Sequence, residues 1–114
     1  MPLSLVLRPD GDHQTVNLPQ TTQERLNAMY QTIGGGCGTV QLVTLSGQFD
    51  MWVDEEGLYT QEPNSPATLL AQRFGLTSQT YHGTAIITGP EVSTGVANLS
   101  KEQVALLLDL IARA

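Results

Sequence analysis

The sequence predicts a single α+β domain over residues 1–114, with a mainly antiparallel sheet of five to six strands packed by three helices. Three observations lead there. Leu3-Ser4-Leu5-Val6-Leu7 and Phe49-Asp50-Met51-Trp52-Val53-Asp54 alternate with the two-residue period of a strand. Tight-turn clusters, Pro9-Asp10-Gly11-Asp12 and Ser46-Gly47, join neighbouring strand runs as hairpins. Three further stretches open on a cap-forming residue and carry apolar stripes at helical spacing. A chain of 114 residues that is 40% hydrophobic is enough for one core without disulfides or metals.

In order, Leu3 to Leu7 and His13 to Leu18 form the first hairpin, which Pro19 ends. Thr21 and Glu24 have capping-box spacing at the head of the first helix, whose stripe is Leu26, Met29, Tyr30 and Ile33. Gly34-Gly35-Gly36 closes it. Thr39 to Leu45 and Phe49 to Val53 give the third and fourth strands, with Leu58-Tyr59 a short fifth, and this meander should supply most of the sheet. Ser65 is the expected cap of the second helix, with Pro66 at its first position and Leu69, Leu70 and Phe74 on its buried side. Tyr81 to Pro90 reads as an interior strand with a bulge or close crossing at Gly83, and 91–98 as a polar connection. Ser100 and Gln103 form a capping box before the last helix, whose broad stripe of Val104, Leu107, Leu108 and Ile111 should cover the sheet. Leu106 and Leu110 widen that stripe, and a homodimer is the alternative use for it.

Composition excludes several functions. Five basic residues against eleven acidic ones give a net charge of −6, and the basic residues are scattered singly. Direct nucleic-acid binding needs them clustered against phosphates and is not expected. No apolar run approaches the ~20 residues that span a bilayer, so no membrane role is expected. With no basic start before an apolar run and a single cysteine, Cys37, a cytoplasmic location is expected. Gly34-Gly35-Gly36-Cys37-Gly38 leaves a helix and enters a strand, the reverse of a phosphate-binding loop. Asp10-Gly11-Asp12-His13 has metal-ligand residue types, but a turn needs the same residues for its backbone, and neither metal nor cofactor is expected.

The candidate binding residues are Asp50, Trp52, Asp54, Tyr59 and His82. On an extended strand Phe49, Met51 and Val53 face the core, while Asp50, Trp52 and Asp54 face away, presenting the only tryptophan between two carboxylates. Such a face can stack on a planar or nucleotide-like ligand and accept hydrogen bonds from its edge, with Tyr59 or His82 adding to it. The opposing reading covers Trp52 with a helix and leaves the two aspartates to tether turns. As a catalytic pair Asp50 and Asp54 sit roughly 13 Å apart along the strand, too far to act on one bond. No nucleophile, zinc or nucleotide motif is present, and an enzyme is disfavoured.

A series of motifs also carries a resemblance. A helix ends in glycines; a strand pair holds Asp50-Met51-Trp52-Val53-Asp54-Glu55-Glu56-Gly57; Asn64-Ser65-Pro66-Ala67 opens a helix ahead of Leu70; then comes Gly83-Thr84-Ala85-Ile86-Ile87-Thr88-Gly89. Over roughly residues 21–90 the chain resembles the DUF3846 family, small proteins of bacteriophages, plasmids and mostly actinobacterial genomes. The resemblance implies an accessory protein of a mobile element, where binding roles such as countering host defence are common, and it brings no catalytic residue with it. Two functions follow as expectations: a non-catalytic binding protein for a small ligand, or an interaction module that meets a protein partner through its acidic face or dimerises.

Overall fold

The computed structural model describes residues 3–34, 39–57, 61–92 and 95–112. Five strands form one antiparallel sheet: β1 (Leu3–Leu7), β2 (His13–Asn17), β3 (Val40–Thr44), β4 (Asp50–Asp54) and β5 (Ala85–Thr88). Their order across the sheet is β2-β1-β5-β4-β3. The last of them in sequence is therefore the central one. Every residue of β5 and of β4 is buried, as expected for strands covered on both faces, whereas β2 and β3 form the largely exposed edges.

Two cores lie on opposite sides of this sheet. Helix α1 (Thr22–Ile33) brings Met29 and Ile33 onto Val6, Leu18, Trp52 and Ile86. Helices α2 (Ser65–Arg73) and α3 (Lys101–Ala112) cover the other face, where Leu70, Ala71 and Leu107 join Leu5, Leu7, Phe49, Met51, Val53 and Ile87. At about 1.5–3 kcal/mol per fully buried aliphatic side chain, burying residues from both faces of each central strand is the main stabilising term.

The helix ends agree with the sequence in one case and depart from it in two. At α3 the reciprocal box is present: the Gln103 N–H donates to Ser100 Oγ at 3.0 Å and the Ser100 N–H to Gln103 Oε1 at 2.8 Å. Thr21 precedes α1 but its side chain makes no capping bond. Asn64, not Ser65, caps α2, accepting from the Ala67 N–H at 3.0 Å, so Pro66 falls one position further in. Either register satisfies proline, because neither of the first two helical N–H groups has an intrahelical acceptor.

Other departures concern connections. β5 lies between β4 and β1, and of the expected meander the β3–β4 pair is present among the described residues. The strand expected from Tyr81 begins at Ala85: His82 forms an isolated bridge to Pro63, and Gly83, at φ 81°, turns the chain where a Cβ would meet the Gln61 side chain at 3.0 Å. Residues 91–98 are not wholly irregular, since β6 (Glu91–Val92) and β7 (Gly95–Val96) pair as a small hairpin. The expected fifth strand at Leu58-Tyr59, candidate residue Tyr59 and the loop holding Cys37 lie outside the described residues.

Candidate functional site

The alternation along β4 assigns its side chains to faces as the sequence requires. Phe49, Met51 and Val53 enter the α2–α3 core, and Trp52 goes to the α1 side. The outward presentation of the indole, however, is corrected by the structure. Trp52 is only 7% exposed and lies in the core that α1 covers. Its Nε1–H donates to Thr88 Oγ1 at 3.0 Å, and that hydroxyl donates in turn to the Gly89 carbonyl at 2.8 Å. The ring has neither a free face nor a free donor for a planar ligand, because its strand is covered on both sides.

The two flanking aspartates are buried too and do different things. Asp54 ties down the turn after β4: its Oδ1 accepts from the Glu56 N–H at 3.0 Å and its Oδ2 from Gln61 Nε2 at 3.3 Å. Asp50 sits at the other end of the strand, between Thr44 and Thr88. Burial first, and the negative charge of Glu91 second, raise its pKa above the ordinary 3.8. The folded state thus holds this proton more tightly than the unfolded chain does. Ionisation of Asp50 therefore costs no stability well below pH 3.8 and costs progressively more as pH rises through the elevated folded value. Asp50→Asn is expected to melt higher than wild type at neutral pH and to lose that advantage in strong acid, measured by thermal unfolding across the pH range.

His82 and Asp54 come together through Gln61. The Gln61 main-chain carbonyl accepts from His82 Nδ1 at 3.2 Å, while the side-chain amide of the same residue donates to Asp54 Oδ2 and the Gly34 carbonyl. Residues 81–82 are held in place from two sides. The Tyr81 N–H donates to Thr68 Oγ1 of α2, and Gly57 approaches so closely that a Cβ on it would lie 2.8 Å from the His82 carbonyl. Beside them opens a pocket of about 40 Å³, lined by Gln41, Val53, Asp54, Glu55, Gln79, Thr80, Tyr81 and His82. Burial raises the Tyr81 pKa above 10.0, which keeps its hydroxyl protonated at neutral pH. The lining contains no lysine or arginine. It is a small, acceptor-rich recess at the acidic end of β4.

Of the candidate residues, then, Asp54 and His82 share one site, while Asp50 and Trp52 lie elsewhere on the same strand. Gln61 belongs to this corner without any signal in the sequence, since a loop glutamine has no periodicity to betray it, and Gln41 and Tyr81 fall in stretches read as strands, where nothing marks them as lining a recess. Asn64 had a signal: asparagine is as good a cap as serine, and it immediately precedes Ser-Pro. The Asp10-Gly11-Asp12 stretch is a turn, with the Asp12 N–H donating to Asp10 Oδ1 at 2.8 Å and Gly11 at φ 92°. Among the described residues, no group of three His, Cys, Asp or Glu side chains could hold a metal ion, and no helix is long and apolar enough to cross a membrane.

Comparison with known proteins gives one match. A family model described as a domain of unknown function, DUF3846, covers residues 2–112. No curated protein and no solved structure matches the chain.

Proposed function

Since the chain belongs to the DUF3846 family, whose description assigns no activity, we propose from its geometry that it is a non-catalytic accessory protein that binds a protein partner by taking up a basic side chain at the acidic end of β4. The observation that carries this reading is the pocket beside Asp54 and His82. Glu55 and the uncharged polar residues Gln41, Gln79 and Thr80 are among its lining, which contains no lysine or arginine. Acceptors of this kind match an ammonium or guanidinium group, and charge-assisted bonds are the stronger ones. A volume of about 40 Å³ suits a side-chain head group; sites for larger small molecules typically enclose roughly 300–1,000 Å³. The net charge of −6 would draw a basic partner in and make the encounter sensitive to salt. The phage and plasmid setting implied by the sequence resemblance fits such a role, inhibition of a host defence protein among the forms it could take.

The planar-ligand reading is the weaker of the two, because its stacking surface is the buried Trp52. Titrating isotope-labelled protein with capped lysine- and arginine-bearing peptides tests both. The expected result is salt-sensitive chemical-shift change at Gln41, Glu55 and His82 that Glu55→Gln weakens. No change at those residues with any basic peptide would overturn the proposal, and a response of Trp52 fluorescence to a nucleotide panel would favour the planar ligand instead.

A further inference from the structure

The two outer strands of the main sheet differ as edges. β2 follows a turn carrying Asp10 and Asp12, and the Arg8 side chain reaches across to Gln14 on it. β3 reads Val40-Gln41-Leu42-Val43-Thr44, with no charge and no proline, and pairs one to one with β4 from Val40↔Asp54 to Thr44↔Asp50 without a bulge. Proteins that stay monomeric usually blunt an exposed edge with a lysine, a proline or a bulge. β3 has none of these.

The hydrogen-bond pattern identifies which of its main-chain groups are unused. The Glu55 N–H donates to the Thr39 carbonyl and the Leu45 N–H to the Phe49 carbonyl. Bonded pairs recur every second residue in an antiparallel ladder, so Gln41 and Val43 bond inward to Val53 and Met51. Val40, Leu42 and Thr44 therefore turn their N–H and C=O groups away from the sheet. Leu42 is also among the exposed large apolar side chains, at 44%.

We propose that this edge pairs with β3 of a second copy of the chain, antiparallel about a two-fold axis at Leu42, joining two five-stranded sheets into one. In that register Leu42 meets the partner's Leu42 and Val40 meets the partner's Thr44, all through outward-facing groups, for about six main-chain hydrogen bonds. Leucine stacks on leucine at the axis, covering the side chain that the monomer leaves exposed. Electrostatics selects this arrangement. Two copies each carrying −6 repel, and this uncharged strand is where they can approach. The acidic turn Asp54-Glu55-Glu56 lies at the Val40 end of the strand and the uncharged turn Ser46-Gly47-Gln48 at the Thr44 end. Antiparallel pairing sets each acidic turn beside the partner's uncharged one, whereas parallel pairing would put the two acidic turns side by side.

Analytical ultracentrifugation over a wide concentration range, joined to amide hydrogen exchange, tests this. The 12.3 kDa chain is expected to sediment as a dimer with rising concentration, with the Leu42 and Thr44 amides becoming protected at the same time. Leu42→Lys sets like charges opposite each other at the axis and is expected to weaken the dimer at least tenfold, by about 1.4 kcal/mol or more, and to release both amides. Thr44→Pro, which removes an outward-facing N–H and leaves the inward ladder to β4 untouched, should do the same with the fold retained by circular dichroism. Leu106→Lys, on the exposed side of α3, should leave the dimer intact. A monomer at every concentration would overturn the proposal. So would a dimer that survives both β3 variants, or one lost only with Leu106→Lys, which would put the interface on α3.

Discussion

Asn64→Ala is expected to lower folding stability by about 3–4 kcal/mol, the sum of a lost cap and of buried groups left without partners. The Asn64 side chain is fully buried and uses every part of its amide. Its Nδ2 donates to the Leu7 carbonyl at 3.0 Å and to the Gly83 carbonyl at 2.7 Å, and its Oδ1 caps α2. Its own N–H donates to the Tyr81 carbonyl at 2.8 Å. One side chain thus fastens the end of β1, the chain entering β5 and the first turn of a helix. Asn64→Asp keeps the cap acceptor but sets a carboxylate against two carbonyl oxygens, so it should be at least as damaging at neutral pH and recover partly on acidification. Ser65→Ala, one residue on at an exposed position, should stay within about 0.5 kcal/mol of wild type. Denaturant midpoints at constant slope measure all three.

Trp52→Ala should be comparably severe, about 3–5 kcal/mol, because it opens a cavity between α1 and the sheet. Thr88→Val removes the acceptor of the indole N–H and should cost about 1–3 kcal/mol with the ring still in place. Both are seen in thermal or denaturant unfolding, and acrylamide should barely quench the wild-type tryptophan. An indole serving as an open stacking platform would give the opposite: strong quenching, and a Trp52→Ala variant as stable as wild type.

These two sites show what the sequence could convey. Period-two alternation assigned the faces of β4 correctly, since it depends only on the backbone. Whether a second face stays open depends on a helix elsewhere in the chain, so Trp52 was legible as facing the side opposite Met51 but not as covered. The stripe of α1 reads as apolar, yet Arg25 is also buried on that helix, with Nη1 donating to the Gln20 carbonyl at 3.0 Å, and a charge in a helical stripe reads as solvent-facing until the packing is known. The box at Ser100 was legible because both partners are local; the same spacing at Thr21 forms no side-chain bond. The recess beside Asp54 and His82 is assembled from three separate segments of chain, and no local pattern brings those together.

The late position of β5 in the chain has a consequence for biogenesis. During synthesis β1 and β4 emerge long before the strand that must lie between them, and each waits with an unfilled interior edge until residues 85–88 leave the ribosome. Closing the sheet then joins segments about eighty residues apart (Leu5 with Ile87) in one step, which is a slow kind of folding and exposes apolar strand edges to other chains meanwhile. For this molecule the vulnerable interval is nascent, and it ends only when Ala85–Thr88 arrive.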